Sequence, residues 1–306
     1  MKIVVTGATG FVGSALVPAL LARGDEVIVL SRNAARAKAT LGAVTAIDAD
    51  LEDPGAWTAA LAGAHAILHL AGESVGVKRW DARQKQIVRD SRVESTRTIV
   101  DAIAALPAAQ RPKVLVSASG TDYYPFAVDT HDFDDDPVTE IDAPGDSFLA
   151  RVCRDWEKEA LAAEAHGVRV VCMRTGLVIG PGGALDKLTT PFKFFVGGRI
   201  GHGRQFMSWI HRDDVVAGYI AAAIDERYRG AINLVRGSVR NAELAHALGK
   251  ALGRPSWFPV PAFAVKVAAG EFAEYVLAGR NVVPARLTEL GFTWKHDTLA
   301  SALAAI

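Results

Sequence analysis

The sequence has 306 residues, of which 50% are hydrophobic and 22% are charged. This balance excludes a disordered or fibrous chain, and the length is sufficient to bury a full core. The 34 Lys and Arg residues equal the 34 Asp and Glu residues in number, so the net charge gives no reason to expect nucleic acid or an anionic membrane as a partner.

The first half of the chain alternates short β-branched runs with amphipathic stretches. The predicted strands are Lys2–Thr6, Glu26–Leu30, Val44–Ile47, Ala66–Leu70, Lys113–Val116 and Arg169–Met173. The predicted helices are Val12–Arg23, Pro54–Leu61, Arg83–Leu106 and Phe148–His166. Strands that are apolar throughout and separated by helices indicate a parallel sheet covered on both faces. We therefore predict the α/β class with a doubly wound, Rossmann-type sheet.

Beyond Thr175 the alternation weakens, and Gly and Pro become frequent. Helices are predicted at Asp213–Asp225, Ala242–Leu252, Ala262–Leu277 and Thr298–Ala304, with a strand at Ala231–Val235. This change predicts a doubly wound domain over residues 1–175, to which residues 213–237 return. Residues 176–306 otherwise form a smaller lobe.

The sharpest local pattern is Gly7-Ala8-Thr9-Gly10-Phe11-Val12-Gly13, which follows the first strand and opens the first helix. Glycines let the backbone approach a pyrophosphate, and the helix N-terminus supplies free N–H groups and the positive end of its dipole. The spacing is G-x-x-G-x-x-G rather than the commoner G-x-G-x-x-G, but the strand-turn-helix context is the one that the motif requires. The pattern predicts a dinucleotide site that contains Gly7, Thr9, Gly10, Phe11, Val12 and Gly13.

The end of the second strand indicates which dinucleotide is bound. An acidic residue there would bind the ribose hydroxyls of NAD, but this chain has Ser31-Arg32, with Arg36 one turn further on. A guanidinium suits a 2′-phosphate because it donates paired, charge-assisted hydrogen bonds. We therefore expect NADP(H) rather than NAD(H), with Asp50-Leu51 beside the adenine. The alternative is that Arg32 is only a solvated loop residue.

Further motifs extend along nearly the whole chain. They are Leu70-Ala71-Gly72-Glu73, Lys78-Arg79-Trp80, Asp90-Ser91-Arg92, Ser117-Ala118-Ser119, Phe148-Leu149-Ala150, Asp155-Trp156-Glu157, Arg174-Thr175-Gly176, Gly203-Arg204-Gln205, Trp209-Ile210-His211 and Pro259-Val260-Pro261-Ala262. With these motifs the chain resembles the extended short-chain dehydrogenase/reductase superfamily, and more narrowly an atypical subgroup of NAD(P)-dependent epimerase/dehydratase-like proteins. The resemblance implies that Leu70, Ala71, Gly72, Ser117, Arg174 and Gly176 also belong to the cofactor site.

The usual catalytic pair of that superfamily, Tyr-x-x-x-Lys, is absent. None of the five tyrosines has a lysine four residues later. By the resemblance, Leu149 and Cys153 occupy the positions of the pair, Ser119 keeps the upstream serine, and Arg92 stands where Asn is usual. The segment Thr121–Pro125 also departs from the subgroup, which would have glycines around the tyrosine pair.

The resemblance implies reversible hydride transfer on a small carbonyl or sugar-like substrate. Ser119 would polarise the reacting oxygen, and Tyr124 or Tyr123 is a candidate proton donor. Cys153 is either a thiol acid/base or, in the simpler interpretation, a helix residue beside the nicotinamide. The candidate substrate contacts are Glu73, Arg79, Arg204 and His211.

Other functions must be compared with this one. A non-catalytic NADP(H) sensor or scaffold, related to cell or plastid division as some relatives are, would suit a chain without the catalytic pair. Gly72–Gly76 reads G-x-S-x-G, but a nucleophile elbow needs a helix that starts at the serine, so we do not expect a hydrolase. We expect no metal, because His65 and His69 lack further ligands and an aspartate after His211 is expected to cap a helix.

The cysteines Cys153 and Cys172 are too few for a disulfide framework and are typical of a reducing compartment. The apolar run Phe11–Ala22 is too short to span a bilayer. We therefore expect a cytoplasmic protein whose partner is a small-molecule substrate, with no nucleic acid or membrane partner. Monomer and homodimer remain open.

Overall fold

The computed structural model describes residues 1–76, 78–126 and 135–304, and these ranges contain ten strands and eleven α-helices. The strands are β1 (Lys2–Thr6), β2 (Glu26–Ser31), β3 (Thr45–Asp48), β4 (Ala66–His69), β5 (Val114–Gly120), β6 (Arg169–Thr175), β7 (Leu177–Ile179), β8 (Phe206–His211), β9 (Gly230–Leu234) and β10 (Gly237–Arg240). The helices are α1 (Gly13–Ala22), α2 (Ala34–Leu41), α3 (Ala82–Ala105), α4 (Phe148–Leu161), α5 (Ala184–Lys193), α6 (Arg212–Ile224), α7 (Asn241–Leu252), α8 (Ala262–Ala269), α9 (Ala273–Leu277), α10 (Ala285–Glu289) and α11 (Leu299–Ala304). Short 3₁₀ helices include Ala56–Leu61, Thr121–Tyr123, Ala162–His166 and Gly270–Phe272.

Seven strands form one parallel sheet in the order β3-β2-β1-β4-β5-β6-β9. The first six follow the Rossmann order, and the prediction of a doubly wound α/β fold is confirmed. β9 enters from late in the chain and pairs with β6 in parallel. A second sheet has the order β10-β8-β7 and lies within residues 176–306, the predicted smaller lobe.

Both faces of the large sheet are buried, which explains why its strands are apolar throughout. Val5 of β1 packs in a cluster with Leu16 of α1 and Val215 of α6. The next side chain back, Val4, points the other way and packs in a cluster with Ile99 of α3. Successive side chains of a strand point to opposite faces of the sheet, and here each face is covered by a layer of helices.

Some elements differ from their predictions. The predicted helix Ala262–Leu277 is divided into α8 and α9 by a 3₁₀ turn at Gly270, whose φ of +60° a helix does not adopt. The segment Pro54–Leu61 forms only a 3₁₀ helix from Ala56. Pro18 lies inside α1, which is nevertheless continuous. The helices α2, α5 and α10 and the strands β7, β8 and β10 were not predicted.

No helix among the described residues is both long enough and apolar enough to cross a membrane.

Candidate functional site

A cleft of about 600 Å³ opens at the carboxyl ends of β1–β4. Ten of the predicted cofactor residues line it, namely Gly7, Thr9, Gly10, Ser31, Arg32, Asp50, Leu51, Leu70, Ala71 and Gly72. Lining residues that the sequence did not single out include Ala8, Asn33, Thr40, Glu52, Ile87, Ser91 and Ser95. A hollow of about 700 Å³ lies at the amino ends of the central strands, beside His65 and Arg229. Ligands of doubly wound sheets bind at the carboxyl ends, so we assign the site to the first cleft.

The glycine turn is shaped by close backbone contacts. Gly7 has a φ of +65°, and a Cβ there would lie 2.6 Å from the carbonyl carbon of Leu70. A Cβ on Gly13 would lie 2.3 Å from the carbonyl oxygen of Gly7. These two glycines bring β1, α1 and the end of β4 together, while Thr9 and Gly10 remain exposed at the cleft. The arrangement presents the N-terminus of α1, which has no acidic residue in its first turn, to a pyrophosphate.

The end of β2 forms a cationic wall of the cleft. Arg32 and Arg36 are exposed and both line it. The loop between them is ordered, because the Asn33 side chain accepts a hydrogen bond of 2.8 Å from the Arg36 backbone N–H and so caps α2. Burial, together with the negative charge of Asp50, raises the pKa of Glu52 on the same wall. The geometry suits an extra phosphate at this end of the cleft.

A buried hydrogen-bond chain fixes the loop that follows β4. Thr6 Oγ1 lies 2.7 Å from His69 Nδ1 and accepts a hydrogen bond of 3.2 Å from the Ala71 N–H. Complete burial and the nearby charge of Arg92 lower the pKa of His69 to about 3, so this ring is neutral. The Thr6 hydroxyl shares one hydrogen bond with this ring and accepts another from the Ala71 N–H, and the segment Leu70–Gly72 is held in place against the cleft.

The remaining predicted cofactor residues lie behind the cleft or beside it. Ser117 is fully buried, and Arg174 is 3% exposed. A Cβ on Gly176 would lie 2.5 Å from the carbonyl oxygen of Ser208, so this glycine serves strand packing. The Phe11 ring lies against Gly183 of the lobe. None of Ser117, Arg174 and Gly176 lines the cleft, and contact of these residues with the cofactor stays a prediction from the family resemblance.

Arg174 belongs to a buried polar network. It donates two hydrogen bonds of 2.8 Å to Glu157 and one of 2.9 Å to the Tyr124 hydroxyl. Ser119 donates to Glu157 at 2.6 Å, and the Tyr124 hydroxyl donates to Asn233 at 2.6 Å. Burial raises the pKa of Tyr124 to about 12. The structure therefore gives the Tyr124 side chain a place inside the core, and its hydroxyl is not presented to a substrate as the sequence led us to expect.

The positions of the missing catalytic pair hold apolar or neutral groups. Leu149 is buried, and its backbone N–H donates to the Tyr275 hydroxyl at 3.0 Å. Burial, with the nearby charges of Asp122 and Glu157, raises the pKa of the Cys153 thiol to about 12. A neutral thiol fits the simpler interpretation, in which Cys153 is a packing residue of α4.

Asp122 is an acidic residue that was not among the site residues predicted from the sequence. A Cβ on Gly120 would lie 3.3 Å from Asp122 Oδ2 and 3.7 Å from Cys153 Sγ, so both side chains face the same space. Burial raises the pKa of Asp122 to about 6, although the charge of Arg92 opposes the shift. The guanidinium carbon of Arg92 lies 3.2 Å from where a Cβ of Gly72 would be. In the sequence, the only feature that pointed to Asp122 was that the segment Thr121–Pro125 lacks the glycines that the subgroup would have around the tyrosine pair.

The four predicted substrate contacts have different surroundings. Glu73 lines the cleft and pairs with Lys78 at 3.4 Å. Arg79 lies against Gly270 of the lobe. Arg204 is exposed in the loop before β8. His211 is buried at the start of α6, with its ring centre 3.7 Å from that of His296.

His211 also corrects the predicted helix cap. Its own Nδ1 accepts a hydrogen bond of 3.1 Å from the Asp213 N–H, so the histidine and not an aspartate caps α6. Asp214 is fully buried and accepts from the backbone N–H groups of Lys295 and His296. Ligand atoms of His211, Asp213 and His296 lie within 4.8 Å of one another. Nδ1 of His211 is used by the cap and Asp213 pairs with Lys295, whereas Nε2 of His211 is buried without a hydrogen-bond partner.

Two protein-family models match parts of the chain. Residues 3–234 match the NAD dependent epimerase/dehydratase family, and residues 260–306 match a domain of unknown function, DUF1731. The chain is 40% identical over 308 residues to the chloroplastic SDR39U1 homolog of Arabidopsis thaliana, an epimerase family protein, covering 100% of this chain and 86% of that one.

Two solved structures are similar over the whole chain. The human epimerase family protein SDR39U1 (isoform 2) with NADPH is 32% identical, has a TM-score of 0.84 and is covered to 99%. A nucleoside-diphosphate sugar epimerase from Corynebacterium glutamicum is 31% identical, has a TM-score of 0.77 and is covered to 57%. Both alignments cover 100% of this chain.

The first prediction concerns the buried ion pair. In Glu157→Gln the Arg174 charge loses its partner, and we expect the free energy of unfolding to fall by about 3–5 kcal/mol. The matched control is Glu159→Gln on the same helix, whose partly exposed pair with Arg97 should contribute less than about 1 kcal/mol. Urea denaturation measures both, and equal effects would show that the buried network does not organise the fold.

The second prediction concerns Asp122. Its pKa in the folded state is raised to about 6, so ionisation opposes folding and stability falls as the pH rises through about 4 to 6. Asp122→Asn should therefore raise the free energy of unfolding by about 1–3 kcal/mol at pH 7.5 and by much less at pH 4. Thermal melts at both pH values measure this, with exposed Asp101→Asn as the control. A substitution that destabilises at pH 7.5 would contradict the assignment.

Proposed function

The chain belongs to the NAD dependent epimerase/dehydratase family, and we propose that it binds NADP(H) and transfers hydride on a small carbonyl or sugar-like substrate. The observation that carries the proposal is one cleft that joins the glycine turn to the cationic wall of Arg32 and Arg36. The similar human protein was solved with NADPH, and the similar bacterial protein is a nucleoside-diphosphate sugar epimerase.

The residues present fit this cofactor. The glycine turn leaves room for a pyrophosphate at the N-terminus of α1, Arg32 and Arg36 provide charge for a 2′-phosphate, and Asp50-Leu51 flank the adenine. NADP(H), when bound, donates or accepts the hydride. We assign the substrate to the side of the cleft that faces the lobe, with residues 176–212 and 238–306 as the substrate-binding part.

Proton transfer in this proposal involves Asp122 rather than a tyrosine. A carboxyl group with a pKa of about 6 can hold and release a proton near neutral pH, which is the property a general acid/base needs. Ser119 retains the role of polarising the substrate oxygen, and its hydroxyl would turn from Glu157 to do so. Tyr124 and Cys153 are both buried, and in this proposal they support the β5 end of the site rather than react. Both cysteines are buried free thiols, which supports action in a reducing compartment such as the cytoplasm.

A non-catalytic NADP(H) sensor or scaffold is the second candidate. It is favoured by the buried states of Leu149 and Cys153, which leave the positions of the usual pair without a charged group. Binding of NADPH without hydride transfer to any carbonyl or sugar nucleotide would distinguish this candidate from the first.

The third prediction tests the cofactor by fluorescence titration with NADPH and NADH. We expect NADPH to bind at least about tenfold more tightly, and Arg32→Ala to remove the preference. Arg229→Ala, at the hollow on the opposite edge of the sheet, is the matched control and should leave both affinities unchanged. Equal or tighter binding of NADH would overturn the assignment of Arg32, and no binding of either would overturn the cofactor site.

The fourth prediction concerns turnover. In a screen of small carbonyls and sugar nucleotides with deuterated NADPH, Ser119→Ala and Asp122→Asn should each reduce kcat by about 10²- to 10⁴-fold. Asp122→Asn should also remove the change in kcat/KM near pH 6, whereas Ser119→Ala should keep it. If both variants retained full turnover on a confirmed substrate, the proposed catalytic roles would be wrong.

A further inference from the structure

The smaller lobe exposes a group of large apolar side chains, which we call the aromatic surface. It consists of Phe194, Phe195, Val196, Trp257, Phe258, Phe263 and Val267, each between 44% and 77% exposed. Single exposed apolar residues are common, but a group of this size on a folded protein marks a place of interaction. None of the seven lines the cofactor cleft.

Two of the chain segments that carry the aromatic surface are held together by their backbones. Gly198 pairs with Trp257, the Phe258 N–H donates to the Gly197 carbonyl at 3.3 Å, and the Val260 N–H donates to the Arg199 carbonyl at 2.9 Å. The chain then enters α8, none of whose residues is fully buried.

The conformation of the backbone supports this exposure. Phe263 and Val267 of α8 are four residues apart and share one helix face. Phe195 has a φ of +61°, the one positive value among the non-glycine residues that the structure describes. A bulky residue in that region is strained, and the strain here accompanies an exposed aromatic ring.

The two chain segments that carry the aromatic surface contain basic residues and no acidic ones, and the nearest acidic residue along the chain is Glu271, which pairs with Lys85. The segments 192–200 and 249–269 contain Lys193, Arg199, Lys250, Arg254 and Lys266 and no Asp or Glu, although the whole chain is neutral. The Arg254 guanidinium lies 4.7 Å from the centre of the Phe195 ring. At least one cation therefore lies directly beside an aromatic ring of this surface.

This combination limits the partner. In a symmetric dimer the same cations would face one another across the contact, which is unfavourable. An anionic lipid surface offers the opposite charge, and its headgroup region accepts Trp and Phe side chains with basic residues beside them. A protein without a membrane-spanning helix among its described residues can bind a membrane in this peripheral way.

We propose that the aromatic surface docks the protein on the face of an anionic lipid membrane, with its aromatic side chains entering the headgroup region. This revises the expectation, drawn from the zero net charge, that the protein has no membrane partner. None of the seven residues lines the cofactor cleft, so the proposed membrane contact leaves the cleft uncovered.

The experiment is vesicle sedimentation of the full chain. We expect binding to phosphatidylcholine vesicles with about 30 mol% phosphatidylglycerol to be at least about tenfold stronger than to pure phosphatidylcholine, and to weaken between about 0.05 and 0.5 M salt. Phe263→Ser with Val267→Ser should reduce binding at least about tenfold, and so should Lys193→Glu with Lys250→Glu. The control is Ile141→Ser, which removes an apolar residue that is 94% exposed and lies outside both segments.

Thermal melts confirm that each variant is folded, since all the altered side chains lie at the surface. The proposal is overturned if the wild type binds neither vesicle, if it binds both equally, or if Ile141→Ser loses as much binding as the surface variants. It is also overturned if sedimentation velocity shows a dimer that Phe263→Ser with Val267→Ser dissociates, because the aromatic surface would then be an interface between two copies.

Discussion

The guanidinium of Arg174 is enclosed at the carboxyl end of β6, where it contacts Glu157 of α4, the Tyr124 hydroxyl and the carbonyl of Glu140. A buried charge of this kind persists only when its donors are paired with good geometry. The carboxylate that pairs with it also accepts from Ser119, so the charge determines where α4, β5 and β6 end relative to one another. Asn233 extends the same network to β9. The arrangement of β5, β6 and β9 at the carboxyl edge of the sheet therefore depends on the pair of Arg174 and Glu157.

The carboxyl edge of the sheet is consequently divided into two unlike halves. Around β1, β2 and β4 it is open, with exposed glycines and arginines and a neutral His69 that stabilises the loop from below. Around β5 and β6 it is closed by side chains that satisfy one another. A Tyr-x-x-x-Lys pair would have to place a charged lysine where Cys153 is now buried. The loss of that pair and the presence of the buried network are therefore parts of the same structural arrangement.

The large sheet and the glycine turn could be predicted from the sequence because each produces a pattern among residues that are close together in the chain. Apolar strands at regular spacing and glycines directly after β1 need no knowledge of distant residues. The buried network joins Tyr124, Glu157, Arg174 and Asn233, and no local period connects them, so only the family resemblance placed Arg174, at the cofactor. For the same reason, the sequence could not predict that the rings of His211 and His296 lie against each other.

Weak local signals explain the remaining misses. The helix α2 buries only Ala37 and Leu41, which left no clear apolar stripe. The strand β10 lies at a sheet edge, where all four of its residues are half-buried. The net charge of zero did not predict the basic residues near the aromatic surface, because a sum over the chain says nothing about where the charges lie.

The place of β9 in the sheet has a consequence for how the protein is made. During synthesis the first six strands leave the ribosome well before Gly230–Leu234, so the outer edge of β6 has no neighbour while residues 176–229 are being translated. The core on one face of the sheet is completed only when Leu287 has been synthesised. The hydrogen bonds to Asp214 near the N-terminus of α6 likewise need the backbone of Lys295 and His296. Contacts so far apart along the chain slow folding and leave a strand edge open to aggregation. Nascent chains that end before β9 are thus the forms most in need of a chaperone.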